Sequence, residues 1–299
     1  YDVPPGLAIT SYYQVQSTST LNGITCSATS NTLTVTVSTA PVVQNVNQTI
    51  CSGTAFTVSP INGGGNSIPA GTSYTWTVNN NPNVSGQSAQ NAGQNSISQT
   101  LTNNTNTAQI IIYTVIPTAG VCSGNPFSVD VLINPTPVLT LSANQTICGG
   151  TATAASTYSN SVAGGTFTYS LNSPGLVPAT VTGYATNGNG QIPAATINNL
   201  GTTPFTLNYT ITPTANGCNG VVGTYSITIN PAPVTTFSIA NQAICSGTNS
   251  APVTFASTTP NVTYAWQATV PNGISNLTPI NGSGNLPSFT NVTKANNTV

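Results

Sequence analysis

Charge is almost missing from this chain. Its 299 residues hold one Lys or Arg, two acidic residues and no His, and 1% of positions are charged, against roughly 25% in an ordinary globular domain. The three charges are Asp2, Asp130 and Lys294. Each absence closes a class of function. Without a basic patch nothing neutralises phosphates, so nucleic acid is excluded as a partner. Without a polybasic segment nothing holds an anionic membrane surface. No apolar run approaches the roughly 20 residues of a spanning helix, so no membrane insertion is expected of this stretch. General acid–base and nucleophilic catalysis need proton carriers placed together. With no His, no Glu and three scattered charges, no dyad or triad forms, and the chain reads as a non-enzyme with no catalytic residues. Calcium loops need several carboxylates. Structural zinc needs four Cys or His ligands, and there is no CxxC pair. No metal or cofactor is expected.

What is present is apolar and β-prone. Net charge is −1 and 38% of residues are apolar, many of them Val, Ile, Tyr and Phe. Disorder by composition rests on high charge and few apolar residues, so an ordered β protein is expected, with Asn, Gln, Ser and Thr supplying solubility. The chain also repeats itself. "NQTICSGT" at 47–54 returns as "NQTICGGT" at 144–151 and as "NQAICSGT" at 241–248, a period of 97 residues. That period fits a whole small domain rather than a solenoid unit. The units read as a closing half at 1–40, complete repeats at 41–136 and 137–233, and an opening half at 234–299. Tyr1 is not a natural start, and both ends read as cuts within a longer protein.

Inside each unit the hydrophobic period is two. "LTVTV" (33–37), "YTWTV" (74–78), "FSVDVLI" (127–133), "FTYSL" (167–171) and "YSITI" (225–229) alternate, as half-buried strands do. Asp130 falls on the polar phase of its run and reads as a solvent-facing strand position. Gly-, Asn- and Pro-rich pieces between the runs read as loops. About seven strand candidates per repeat imply an immunoglobulin-like β-sandwich. The joints "STAPV" (38–42), "NPTPV" (134–138) and "NPAPV" (230–234) are short and contain Pro, which gives a semi-rigid connection. The expected object is all-β, with tandem sandwiches placed end to end in an elongated rod.

Six cysteines at regular spacing in Thr- and Asn-rich repeats suggest disulfides and an oxidising, extracellular location. Two schemes are open. Within repeats, Cys51 pairs with Cys122 and Cys148 with Cys218, and Cys26 and Cys245 find partners elsewhere. Across the joints, the pairs are Cys26–Cys51, Cys122–Cys148 and Cys218–Cys245. Two extended strands and a Pro joint lie between Cys122 and Cys148, while a disulfide needs Cα atoms within about 7 Å. Pairing within the repeat is therefore expected, each bond closing a loop of about 70 residues and contributing on the order of 4 kcal/mol. A reactive thiol would need a neighbouring His, Lys, Arg or helix N-terminus, and none is visible. Trp76, Tyr169 and Trp266 occupy equivalent mid-strand places. They read as core aromatics, or alternatively as a platform for sugar stacking. About ten Asn-x-Ser/Thr sequons are what chance gives in such a composition and say little about glycosylation. Lys–Asn isopeptide cross-links are excluded, because the two complete repeats hold no lysine.

"YTWTV" followed by "SISQTLTN", then "YTV-x-PTA-x-x-C-x-G", "V-x-INP-x-PV" and "NQTICSGT", resembles the PKD-like/Ig-like repeats of giant Bacteroidota surface proteins, including gliding-motility adhesins. The resemblance covers both complete repeats and the partial third. It implies a structural stalk segment of a long cell-surface adhesin or filament, exported by type IX secretion and attached to the outer membrane through regions outside these residues. The implied partners are surface polysaccharide or other cell-surface components and the secretion and motility machinery. Two alternatives remain: a glycan-binding accessory module of a secreted protein, and a subunit that assembles laterally into a sheath or surface layer.

Overall fold

The computed structural model describes residues 10–245, 248–269 and 280–289. Among the described residues four strands precede the first repeat: β1 (Ser11–Tyr13), β2 (Gln16–Leu21), β3 (Ile24–Thr29) and β4 (Leu33–Val35). The first repeat holds β5 (Val46–Cys51), β6 (Thr54–Val58), β7 (Thr72–Val78), β8 (Val84–Ser85), β9 (Gln90–Gln94), β10 (Ile97–Asn103), β11 (Gln109–Ala119), β12 (Cys122–Ser123) and β13 (Phe127–Asn134). The second holds β14 (Leu139–Leu141), β15 (Gln145–Cys148), β16 (Thr151–Ala152), β17 (Tyr158–Asn160), β18 (Thr166–Leu171), β19 (Val181–Thr182), β20 (Asn187–Asn189), β21 (Thr196–Asn199), β22 (Phe205–Ala215), β23 (Cys218–Asn219) and β24 (Gly223–Asn230). Beyond them come β25 (Thr235–Phe237), β26 (Phe255–Ser257), β27 (Ala265–Gln267) and β28 (Asn281–Ser283). The only helical turn among the described residues is a 3-10 turn at Pro174–Leu176. Contacts divide the chain into two compact units, Tyr1–Pro137 with Ala215–Cys218, and Val138–Thr214 with Asn219–Val299.

The fold is all-β, two tandem sandwiches of the immunoglobulin type. In the first, one sheet runs β5-β13-β11-β7-β9, and the facing sheet runs β6-β10-β8. The second repeats this plan as β15-β24-β22-β18-β20 facing β16-β21-β19. Among the described residues the strand pairings are antiparallel except two: β5 with β13 and β15 with β24. The two-residue period of the sequence becomes the two faces of each sheet. Along β11, Ile111, Tyr113 and Val115 are buried while Ile110, Ile112 and Ile116 are exposed. Along β22, Leu207, Tyr209 and Ile211 are buried in the same way. These inward rows meet Phe56, Ile97 and Leu101 in the first core and Val181, Ile192 and Ile197 in the second.

Polar residues hold the strands in place where charges do so elsewhere. Asn103 is buried, and its Nδ2 donates to Thr107 O at 2.7 Å and Ile133 O at 3.0 Å. Its counterpart Asn199 donates to Thr203 O at 2.9 Å and Ile229 O at 2.8 Å. Each amide thus ties a loop in one sheet to the last strand of the other, which satisfies buried carbonyls without an ion.

A proline lies within each of the longest strands. Pro117 and Pro213 sit where the partner strand changes. Pairing of β11 with β13 ends at Val115↔Phe127, and pairing of β22 with β24 ends at Ile211↔Gly223. The short strands β12 and β23 take over that edge. The proline carbonyls accept from Gly124 N at 2.8 Å and Gly220 N at 2.9 Å. The missing N–H therefore falls at a break in the ladder, where Pro is tolerated in a sheet.

Candidate functional site

The repeated octapeptide builds a tight turn. In the first repeat Ser52 N donates to Asn134 O at 2.8 Å and Gly53 N to Leu101 O at 2.8 Å, so the turn bridges both sheets. Gly53 holds φ +82°, which favours glycine. Thr54 Oγ1 closes the turn on Cys51 O at 2.6 Å. The second repeat writes the same bonds: Gly149 N to Asn230 O at 2.7 Å, Gly150 N to Ile197 O at 2.8 Å, and Thr151 Oγ1 to Cys148 O at 2.6 Å. In the third occurrence Thr248 Oγ1 donates to Cys245 O at 2.7 Å. The motif is therefore a structural turn, and in the two complete repeats its cysteine is the last residue of a strand.

That position decides the pairing. Because β5 runs parallel to β13, Cys51 stands opposite Asn134, at the end where the chain leaves the repeat. Cys122 stands opposite Ala119, at the other end of β11. The 11 residues of β11 separate the two ends, roughly 33 Å at about 3.3 Å per residue. The second repeat is the same: Cys148 lies opposite Asn230 and Cys218 follows Ala215 at the far end of β22. The expected pairs Cys51–Cys122 and Cys148–Cys218 are thus corrected. The bond that forms joins Cys51 to Cys218, with Cα atoms 5.6 Å apart and a separation of 167 positions in sequence. The joint-crossing pairs Cys26–Cys51 and Cys218–Cys245 are overturned with it. Cys26, Cys122, Cys148 and Cys245 carry free thiols.

The hairpin that carries Cys218 groups with the first repeat. Asn134 Nδ2 donates to Asn216 O at 3.0 Å beside the bond. Cys122 has the equivalent place one repeat earlier, and its Sγ donates to Ser38 O at 3.3 Å.

The aromatic candidates fare differently from one another. Trp76 is 5% exposed and its Nε1 donates to Ser88 O at 3.0 Å. Tyr169 is 7% exposed and packs edge-on to Tyr209. Neither offers a face to a sugar, which corrects the platform reading for both. They are core residues because their strands are central and their phase points inward. Trp266 is half-buried and stands edge-on to Phe289, with ring centroids 5.8 Å apart. It lines an apolar cleft of about 480 Å³ with Phe237, Val253, Phe255 and Leu286. Asp130 is half-buried on the outer face of β13, and its Oδ1 has no hydrogen-bond partner. Asp2 and Lys294 lie outside the described residues. Among the described residues no group of three His, Cys, Asp or Glu could hold a metal, and no helix is long and apolar enough to cross a membrane.

Burial acts on the tyrosines. It pushes the phenols of Tyr74, Tyr113, Tyr158 and Tyr209 above their ordinary value, furthest for Tyr113 and Tyr209. The hydroxyl of Tyr113 donates to Gln99 Oε1 at 2.7 Å, and that of Tyr209 to Ala185 O at 2.9 Å.

Similar solved structures include three immunoglobulin domains of titin, at 10% identity and a TM-score of 0.39, covering 87% of this chain and 90% of that one. A fragment of human CDH23, EC21-23, is 11% identical with a TM-score of 0.33, covering 87% and 92%. The extracellular cadherin domains 1-5 of protocadherin gamma B2 are 14% identical with a TM-score of 0.29. The match covers 94% of this chain and 59% of that one. No curated protein matches the chain. The family model of the PKD-like domain matches residues 48–137 and 145–233, more than half of the sequence. The chain belongs to the PKD-like domain family.

Proposed function

We propose that this chain is a load-bearing stalk segment of an extracellular adhesion protein. One observation carries the reading: a single covalent bond joins residues 167 positions apart in successive repeats. Such a bond lets tension bypass the chain between Cys51 and Cys218. The polar side chains support the same reading, since Asn103, Asn199 and Thr54 are engaged in holding strands and turns. A disulfide fits an oxidising location outside the cytosol. The similarity of the repeats to those of Bacteroidota surface adhesins supports placing the stalk at a cell surface. Export by the type IX route, anchoring, and grip on surface polysaccharide then belong to other parts of that protein.

The test is mechanical. Pulled from its ends, the oxidised 299-residue chain should hold its folded length and then open in discrete steps. Its total gain in length should be shorter by roughly 600 Å than that of the reduced chain, from the 167 shielded residues at about 3.6 Å each. Gradual extension without steps would sink the stalk reading. So would saturable binding on a glycan array that is lost in Trp266→Ala without unfolding, which favours a glycan-binding module.

A further inference from the structure

We propose that repeats of this kind are joined by a disulfide ladder, in which the opening cysteine of each repeat bonds to the closing cysteine of the repeat that follows it. Cys51 and Cys218 are one rung. The opening cysteines are Cys51, Cys148 and Cys245; the closing ones are Cys26, Cys122 and Cys218. Under this rule only one pair has both members within these 299 residues, and that is the pair observed. The four free thiols are the four half-rungs.

Two observations besides the spacing support the rule. The first concerns Cys148. It stands in the turn that Cys51 occupies, with the equivalent backbone N–H bonds and the same threonine closure. Its thiol is free and exposed, at the end of its repeat opposite Cys218. It is ready for a partner that its own repeat cannot supply. The second concerns Cys122. It sits at the tip of the hairpin equivalent to that of Cys218, and its thiol donates to Ser38, the residue equivalent to Asn134. Asn134 is the residue that binds the hairpin beside the existing bond. Both half-rungs are thus held where Cys51 and Cys218 are held.

Closing a rung is a two-electron oxidation by thiol–disulfide exchange. One cysteine thiolate attacks a donor disulfide, such as glutathione disulfide or an oxidised dithiol catalyst, and releases one donor thiol. The second cysteine thiolate then displaces the other, leaving the protein disulfide and two donor thiols. The two electrons pass to the donor, and the two protons pass from the cysteines to its thiols.

The rule does not depend on what the stalk carries or grips, and it is tested by peptide mapping rather than by force. In the 299-residue chain, alkylation should count four thiols, and a peptic digest should give the Cys51–Cys218 link alone. A Cys51–Cys122 or Cys148–Cys218 link would overturn the rule. Next, one further copy of 137–233 is inserted after residue 233 of the full chain, and the protein is folded in a glutathione redox buffer. The insertion adds two cysteines. The rule expects two links, Cys51–Cys218 and Cys148 to the closing cysteine of the inserted copy, with the thiol count still four. Six thiols, or any link within one repeat, would overturn it. In the same extended protein, Cys51→Ser should leave Cys218 free and the new rung formed. Transfer of Cys218 to Cys148 would show that the ends of a repeat are not held apart.

Discussion

Raising the pH should unfold these repeats, while lowering it should do little. Tyr113 and Tyr209 are 0% exposed, and burial lifts both phenols well above the ordinary value near 10. In the unfolded chain each ionises near pH 10. Above that pH the unfolded state has lost a proton that the folded state still binds, so stability falls as pH rises. Below pH 10 both states are protonated and the contribution is fully present. One such tyrosine removes about 1.4 kcal/mol per pH unit, or about 2.7 kcal/mol by pH 12, from each repeat. Tyr74 in the first repeat and Tyr158 in the second act in the same direction. The acid side has little to titrate, because the whole chain holds two acidic side chains and no His. Urea midpoints by circular dichroism, on protein with its free thiols alkylated, should be flat from pH 5 to 9 and fall steeply above pH 10. Absorbance at 295 nm should show part of the 11 tyrosines ionising only as the fold is lost. A midpoint that stays level to pH 12 would refute the reasoning. So would ionisation of every tyrosine near pH 10 with native dichroism intact.

Two further outcomes follow from single contacts. Asn103→Ala removes two amide bonds and leaves the carbonyl of Ile133 buried without that donor, so it should cost about 3 kcal/mol. Asn199→Ala should cost as much in the second repeat, read as the drop in urea stability. Gly86 and Gly183 hold φ +90° and +87°, and a Cβ there would stand 2.1 and 2.2 Å from the carbonyl oxygens of Thr100 and Thr196. Ala at either should cost at least about 2 kcal/mol, whereas Gly175→Ala, with open space around it, should leave the thermal midpoint within a degree or two.

Much of the sandwich was legible because strand alternation is local. The phase of "YTWTV" places Tyr74 and Trp76 on one face from neighbouring residues alone, and both are buried. "NQTICSGT" was legible as a repeat, but its turn was not: the bond from Gly53 to Leu101 in the facing sheet does not show in the octapeptide. The burial of Trp76 and Tyr169 was open between core and platform. Alternation says that two faces exist but not which one a second sheet covers.

The cysteine pairing marks the boundary between the two kinds of information. The sequence by itself determined the repeats, the near absence of charge, the strand phase, and a regular set of thiols. Only the tertiary structure decided which thiols meet. The first strand of each repeat pairs parallel to the last, which places the opening cysteine at the exit end, while the hairpin after the longest strand carries the closing cysteine to the other end. Strand direction within a sheet is fixed by partners some 80 residues away, and a separation of roughly 33 Å cannot be read from a spacing of about 70 residues.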